Sequence, residues 1–404
     1  MTPSQQSASV TGSDGGPGGG TVDGPPRTPP GLSFLSRSDI GMMAGAVVFT
    51  GTAALIKGHG SVVPFLLSGV AVALLAALVG RSVDHLSDRL GAGAVGVLQS
   101  ALGNLPELFI CIFALRSGLD EVVTSALIGS ILGNLLLVLG LSFFVGGRRN
   151  GVLRFSELRA RMIMALMILS VAAMLVPSLA SYVHASAASH EAALSRITAV
   201  VLLVVFAMSV PASLRREDPN HAGGAEPTAS EEASEAKADE REIEAVERSR
   251  PGWPMYFAIT MLTVTGVLAA YVSDLFVDGL QPAMNAMHVS DAFAGLVVVA
   301  IAGNAIENAV GIKLAWQNQA DHALSVILNS PLQIALVLAP VLVLISPLIG
   351  GPAFTLVFSP MLVTTVGVST LAVAFLVSDG ESDWLEGATM VGLYVLIAAA
   401  FWWG

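Results

Sequence analysis

The sequence predicts an all-α polytopic membrane protein: 11 transmembrane helices, one extra helix followed by two inverted five-helix repeats. Three observations lead there. Of 404 residues, 54% are hydrophobic and only 12% charged, with a mean hydropathy of +0.74; a soluble domain carries about 25% charged residues. The apolar stretches are continuous rather than alternating, which favours helices over a β-barrel. And the pentad Gly103-Asn104-Leu105-Pro106-Glu107 returns as Gly303-Asn304-Ala305-Ile306-Glu307, an offset of 200 residues that Ser130 and Ser330 keep.

Residues 1–31 are rich in Gly, Ser and Pro and hold no apolar run. They predict a disordered tail, taken here as 1–38, without a cleavable signal peptide. The extra helix follows at 39–56, and the first five-helix repeat occupies 57–212 with spans at 61–80, 92–115, 122–146, 158–183 and 192–212. Residues 213–253 form an acidic linker in which Glu231 to Glu247 favours helix. The second repeat, 254–404, has spans at 254–273, 291–315, 322–346, 354–377 and 384–403, and 274–290 is expected to be a helix end plus loop.

Charge tests this layout. With the N-terminus in the cytoplasm, 16 of the 19 Lys and Arg residues fall on the cytoplasmic side, and only Lys57, Arg116 and Arg196 fall outside, as positive charge in membrane proteins sorts. The C-terminus is then on the opposite side. Five spans per repeat is an odd number, so the second repeat enters the membrane inverted, an organisation common among secondary transporters. The absence of a targeting segment and the Ala-, Gly- and Arg-leaning composition fit a bacterial inner membrane.

The composition also excludes. A single cysteine, Cys111, allows neither a disulfide framework nor a thiolate metal centre within one chain. No nucleophile–base pair and no histidine cluster suggests an enzyme, and no cofactor is expected. Nothing suggests nucleic acid as a partner; the bilayer is the expected surrounding, and the oligomeric state is left open.

The chemistry concentrates in the two pentads. A carboxylate at a bilayer centre costs about 2.5–3.5 kcal/mol on insertion scales, so Glu107 and Glu307 invite a functional explanation. Asn104 and Asn304 lie three residues before them, on the same helix face. Each pair offers a carboxylate and an amide carbonyl, hard oxygen donors of the kind Ca2+ collects six to eight of. Gly103 and Gly303 permit close approach or a local break, and Pro106 favours a kink. Ser130 and Asn134, one turn apart, could add oxygens, as could Ser330 and Gln333 in the matching stretch Asn329-Ser330-Pro331-Leu332-Gln333. Asp84 and Asp274 flank the expected ends of spans 2 and 7, where they could gather cations at the two mouths. Burial disfavours the charged form of a carboxylate, and two close carboxylates disfavour double ionisation. One site could then hold either a divalent cation or about two protons, which is antiport in its simplest form. The plainer alternative is a pair of buried glutamates that only bridge helices.

At these residues a resemblance becomes specific. Gly103-Asn104-Leu105-Pro106-Glu107-Leu108, the run Leu127 to Gly140 containing Gly129-Ser130-Ile131-Leu132-Gly133-Asn134, and in the second half Gly303 to Glu307, Gln333-Ile334-Ala335-Leu336 and Asp379-Gly380-Glu381-Ser382-Asp383-Trp384 resemble the calcium/proton antiporters, the cation/proton exchanger branch of the calcium/cation antiporter superfamily. The resemblance covers about 35 to 404. It implies 11 spans, an acidic loop between the halves and alternating access, with Glu107 and Glu307 binding Ca2+ and exchanging it for H+. The sequence departs from the family pattern at Asn308, where a histidine is usual, and at Pro331, where a serine is usual; Asn308 remains an oxygen donor that cannot be protonated. Two other readings use the same residues: a proton exchanger for Na+, K+ or Mn2+, and a Ca2+-binding membrane sensor that does not transport.

Overall fold

The computed structural model describes residues 35–56, 62–87, 102–214, 253–349 and 353–403, with backbone alone for 87, 210–214, 306 and 307. The expected tail, the linker and the first half of the third span therefore lie largely outside the described residues.

Eleven helical runs are described: α1 (Arg37–Leu55), α2 (Val62–Ser87), α3 (Leu105–Arg116), α4 (Asp120–Asn150), α5 (Glu157–Tyr182), α6 (Glu191–Leu214), α7 (Met255–Met287), α8 (from Asp291 to Trp316), α9 (Ala320–Ile349), α10 (Pro360–Leu376) and α11 (Trp384–Trp402). Nine of them are long and apolar enough to cross a membrane, and α8 makes a tenth, bent by 68° between Asp291–Ala305 and Asn308–Trp316. The twelve described residues of α3 are too short to span alone. Burial ranks the helices: 83% of the most apolar window of α4 is enclosed by protein against 17% for α1. So α4 is the central post, and α1 a peripheral helix fastened to α2 by the Arg81–Asp39 ion pair.

The inversion is visible in the chain direction of α4 and α9, repeat-equivalent helices 200 residues apart. Asn150, the last residue of α4, donates to Ala315 O at the end of α8 (3.2 Å), and the Ser156 N–H donates to Asp321 Oδ1 at the start of α9 (2.8 Å). The end of α4 and the beginning of α9 thus share one face of the protein. Two short strands, β1 (Leu153–Arg154) and β2 (Glu381–Ser382), pair antiparallel on that face. At the other face Ser290 Oγ donates to Phe401 O (2.5 Å), joining the start of α8 to the end of α11, and Thr355 Oγ1 donates to Glu191 Oε1 (2.6 Å).

Three expectations need correction. The segment 274–290 is not a helix end plus loop: α7 continues to Met287, with Pro282 inside it and His288 ending it in the left-handed conformation. Once a helix is packed, ordinary polar residues do not stop it, and Pro282 only removes one donor. Asp274 consequently lies inside α7, half-buried, rather than at its end. Asp84 does sit in the last turn of α2 and is exposed. Second, Pro106 does not kink a continuous helix. The chain turns at Gly103–Asn104 and α3 starts anew, with Pro106 in its first turn where the missing N–H is no loss. Third, the tenth span starts at Pro360 rather than at 354. The chain from Phe354 to Phe358 is not helical, with a bend at Leu356, and hydroxyls satisfy its backbone: Ser178 Oγ donates to Leu356 O and accepts from Phe358 N (both 2.9 Å), Ser195 Oγ accepts from Leu356 N (3.1 Å), and Ser346 Oγ from Phe354 N (2.9 Å). Non-helical backbone beside a membrane is tolerated only where protein supplies such partners.

Candidate cation site

Glu107 begins this site. It lies in the first turn of α3, where a helix N-terminus favours negative charge, and is 4% exposed. Its Oε1 accepts from Ser130 Oγ of α4 at 2.7 Å and from Asn304 Nδ2 of α8 at 2.5 Å. The second contact crosses from one half of the chain to the other.

Asn304 is the hub. Its Nδ2 also reaches Ser130 Oγ (3.1 Å) and Ala300 O one turn back (3.0 Å), while its Oδ1 accepts from Ser330 Oγ of α9 (3.1 Å). The backbone carbonyl of Ala300 can only accept, which fixes which way this amide faces. Asn134 donates to Ser130 O (2.9 Å) and reaches Ser330 Oγ at 3.5 Å, and Asn104 Nδ2 donates to Gln333 Oε1 (3.2 Å). One polar network therefore joins Glu107, Ser130 and Asn134 to Asn304 and Ser330, and a separate pair joins Asn104 to Gln333 across the same two halves. Asn308 borders the network through a cavity it shares with Ser130, Asn134 and Asn304. Asp84 and Asp274 are not among these residues. The backbone puts residue 307 in α8 next to Asn308; the Glu307 side chain lies outside the described residues.

Two local devices make the network possible. A Cβ on Gly303 would stand 2.4 Å from Glu107 Cγ, and one on Gly129 would stand 2.2 Å from Leu296 O. Only glycine lets Glu107 lie against the α8 backbone and lets α4 and α8 touch. The second device is one that sequence reasoning missed: π-helical turns at Gly133–Val138 in α4, Ala294–Val299 in α8 and Ile334–Leu338 in α9. Two of them are repeat-equivalent and follow directly on Ser130 and Ser330. Such turns widen the backbone and recur at functional sites. The clustering of Gly with small polar residues was the available signal, but it does not separate α from π.

One carboxylate ringed by amides and hydroxyls is a hard-oxygen donor set, suited to Ca2+ or an alkali ion. Among the described residues no group of three His, Cys, Asp or Glu side chains could hold a metal ion.

A helical membrane protein of two inverted halves, with a carboxylate buried where they meet, has the build of a secondary transporter. The chain belongs to the sodium/calcium exchanger protein family, which matches residues 60–214 and 257–403. It is 35% identical over 352 residues to a Ca2+/H+ antiporter of Synechocystis, covering 85% of this chain and 92% of that protein. It is 34% identical over 345 residues to the Ca2+/H+ antiporter ChaA of Bacillus subtilis, covering 84% and 92%. Among solved structures, native YfkE superimposes with a TM-score of 0.72 at 28% identity, over 89% of this chain and 99% of that one.

Proposed function

We propose that this protein is a secondary transporter that exchanges Ca2+ for H+ across a membrane by alternating access, with Glu107 and Glu307 as the shared cation and proton site. The observation that carries the proposal is Glu107 itself: a carboxylate 4% exposed, held by Ser130 of its own half and Asn304 of the other. The names of the relatives support Ca2+ and H+ as the exchanged pair.

Glu107 takes a proton or a cation in turn. Protonated, it is neutral and sits at low cost among hydrogen-bond partners. When Ca2+ arrives, its Oε1 becomes a ligand and its proton leaves. Asn304 then turns its amide, giving up the Ala300 carbonyl and Ser330 and presenting Oδ1 where Nδ2 now faces Glu107. Because Asn304 and Ser330 belong to the second half, this turn couples the ion to the packing of one half against the other. Ser130, Asn104, Asn134, Gln333 and Asn308 supply further neutral oxygens. Asp84, at the end of α2, is a candidate for collecting cations at that mouth.

The chain divides into an extra helix at 39–56, repeats at 57–212 and 254–404, and a linker at 213–253 on the cytoplasmic side of a bacterial cell membrane. A cation panel in proteoliposomes with an imposed pH gradient tests the reading. Ca2+ uptake driven by an outward proton gradient is expected, with Na+, K+ and Mn2+ replacing Ca2+ poorly. Binding of Ca2+ without uptake would instead identify a sensor.

A further inference from the structure

The face where α4 ends and α9 begins is rich in arginine, and part of that charge is paired within the protein. Arg154 pairs with Glu381 (3.2 Å) and Arg161 with Glu157. Two further carboxylates of this face are engaged by backbone: Asp321 accepts from Ser156 N, and Asp383 caps α11 by accepting from Leu385 N and Glu386 N. Arg148 and Arg149, consecutive in the last turn of α4, are different. Both are exposed, and neither makes an ion pair among the described residues.

Two tryptophans flank this pair. The Arg149 guanidinium lies over the Trp316 ring at the end of α8, 4.4 Å from its centroid. Trp384, the first residue of α11, packs on the end of α4 so closely that a Cβ on Gly147 would stand 2.7 Å from its backbone nitrogen. Trp316 is 47% exposed and Trp384 44%. Each sits at an end of a membrane-spanning helix, the depth at which indoles meet lipid headgroups. A guanidinium stacked on a ring keeps its N–H edge free for an anion.

The repeat does not account for this cluster. At the offset of 200 residues the counterparts of Arg148 and Arg149 are Leu348 and Ile349, and that of Trp316 is Arg116. A helix C-terminus attracts positive charge, yet α9 ends without any in its last turn. The two arginines therefore answer to something outside the helix.

We propose that Arg148 and Arg149, framed by Trp316 and Trp384, bind the phosphate of an anionic lipid headgroup. Basic clefts between the ends of membrane helices hold such headgroups, and arginine grips phosphate through paired N–H donors. The apolar faces of the indoles suit the glycerol and upper acyl carbons of the same lipid. Arg149 already links α4 to α8, and the adjoining Asn150 donates to Ala315 O (3.2 Å). A bound lipid thus fastens together the ends of the two helices that carry Ser130 and Asn304, and it does so without touching the cation site. The inference does not depend on which ion is exchanged.

The test adds palmitoyl-oleoyl-phosphatidylglycerol, or the corresponding phosphatidylcholine, to the purified full-length protein in a neutral detergent. Native mass spectrometry reads the retained lipid and thermal unfolding reads Tm. Wild type is expected to retain phosphatidylglycerol about tenfold more tightly than phosphatidylcholine, and to melt several degrees higher with it. Arg148→Gln/Arg149→Gln should lose both preferences. Arg116→Gln/Arg196→Gln, which removes the same charge from the other face, should keep them. Equal retention of the two lipids by wild type would overturn the proposal. So would an undiminished preference in Arg148→Gln/Arg149→Gln, or its loss in the control pair. Inorganic phosphate raising Tm as far as phosphatidylglycerol does would assign the arginines to a soluble anion and overturn the lipid site. Should the double variant fail to fold, Arg149→Lys decides, because lysine keeps the charge but not the paired donors. A several-fold weaker preference for phosphatidylglycerol supports the site, and an unchanged one refutes it.

Discussion

Asn304 Nδ2 lies 2.5 Å from Glu107 Oε1 although 197 residues separate them in the chain. The contact joins two helices of opposite halves, and the same amide passes on to Ser330 through its oxygen. Asn304→Ala removes a charge-assisted hydrogen bond and leaves Ser330 without its acceptor. Hydrogen bonds to charged groups contribute about 1.5–3 kcal/mol, so Ca2+ affinity measured by 45Ca2+ binding should fall roughly 10- to 150-fold. Unchanged affinity in a folded Asn304→Ala protein would detach Asn304 from the site.

Gly303 gives a steric version of the same test. A Cβ at this position meets Glu107 Cγ at 2.4 Å, and Cγ is too near the backbone to swing aside cheaply. Gly303→Ala should displace the carboxylate, lower stability by about 1–3 kcal/mol as overpacking does, and remove most transport. A variant with wild-type uptake would show that Glu107 need not lie against α8.

Much of this was legible in the sequence. The helical runs follow hydropathy because continuous apolar stretches have one outcome in a bilayer, and Glu107, Asn304 and Ser130 stood out because buried polar groups need partners. The missing parts have physical reasons. The π-helical turn at Gly133–Val138 changes hydrogen-bond register without changing composition. The non-helical stretch Phe354 to Phe358 reads as apolar helix, and the hydroxyls of Ser178 and Ser195, distant in sequence, hold it together with Ser346. The continuation of α7 through Asp274 was hidden because the drop in hydropathy there marks a change of surroundings, not the end of a helix.

That serine clamp predicts a stability effect far from the ion. Ser178→Ala leaves Leu356 O and Phe358 N without their partner in a buried segment. Each orphaned group costs about 1–3 kcal/mol. The purified variant should melt several degrees lower while retaining Ca2+ affinity. No change in Tm would mean that Ser178 does not help to hold this segment.

The pairing of Arg154 with Glu381 and the contact of Ser290 with Phe401 place these loops at opposite faces. With Cys111 replaced, single cysteines at Arg154 and Glu381 should react with an impermeant maleimide from one side of sealed vesicles. A cysteine at Ser189, in the turn Ser186–His190 just before Glu191 on the other face, should react only from that side. Labelling of Arg154→Cys and Glu381→Cys from different sides would contradict the inverted arrangement.

The claim that one carboxylate carries both ion and proton is tested most directly by Glu107→Gln. Glutamine keeps the size and one oxygen but neither charge nor exchangeable proton. Ca2+-driven proton release is measured on the purified protein, with 45Ca2+ uptake followed in proteoliposomes under a pH gradient. Wild type should release protons as Ca2+ binds and take up Ca2+ only while the gradient stands; a folded Glu107→Gln protein should do neither. Full proton release and gradient-driven uptake by Glu107→Gln would contradict the account.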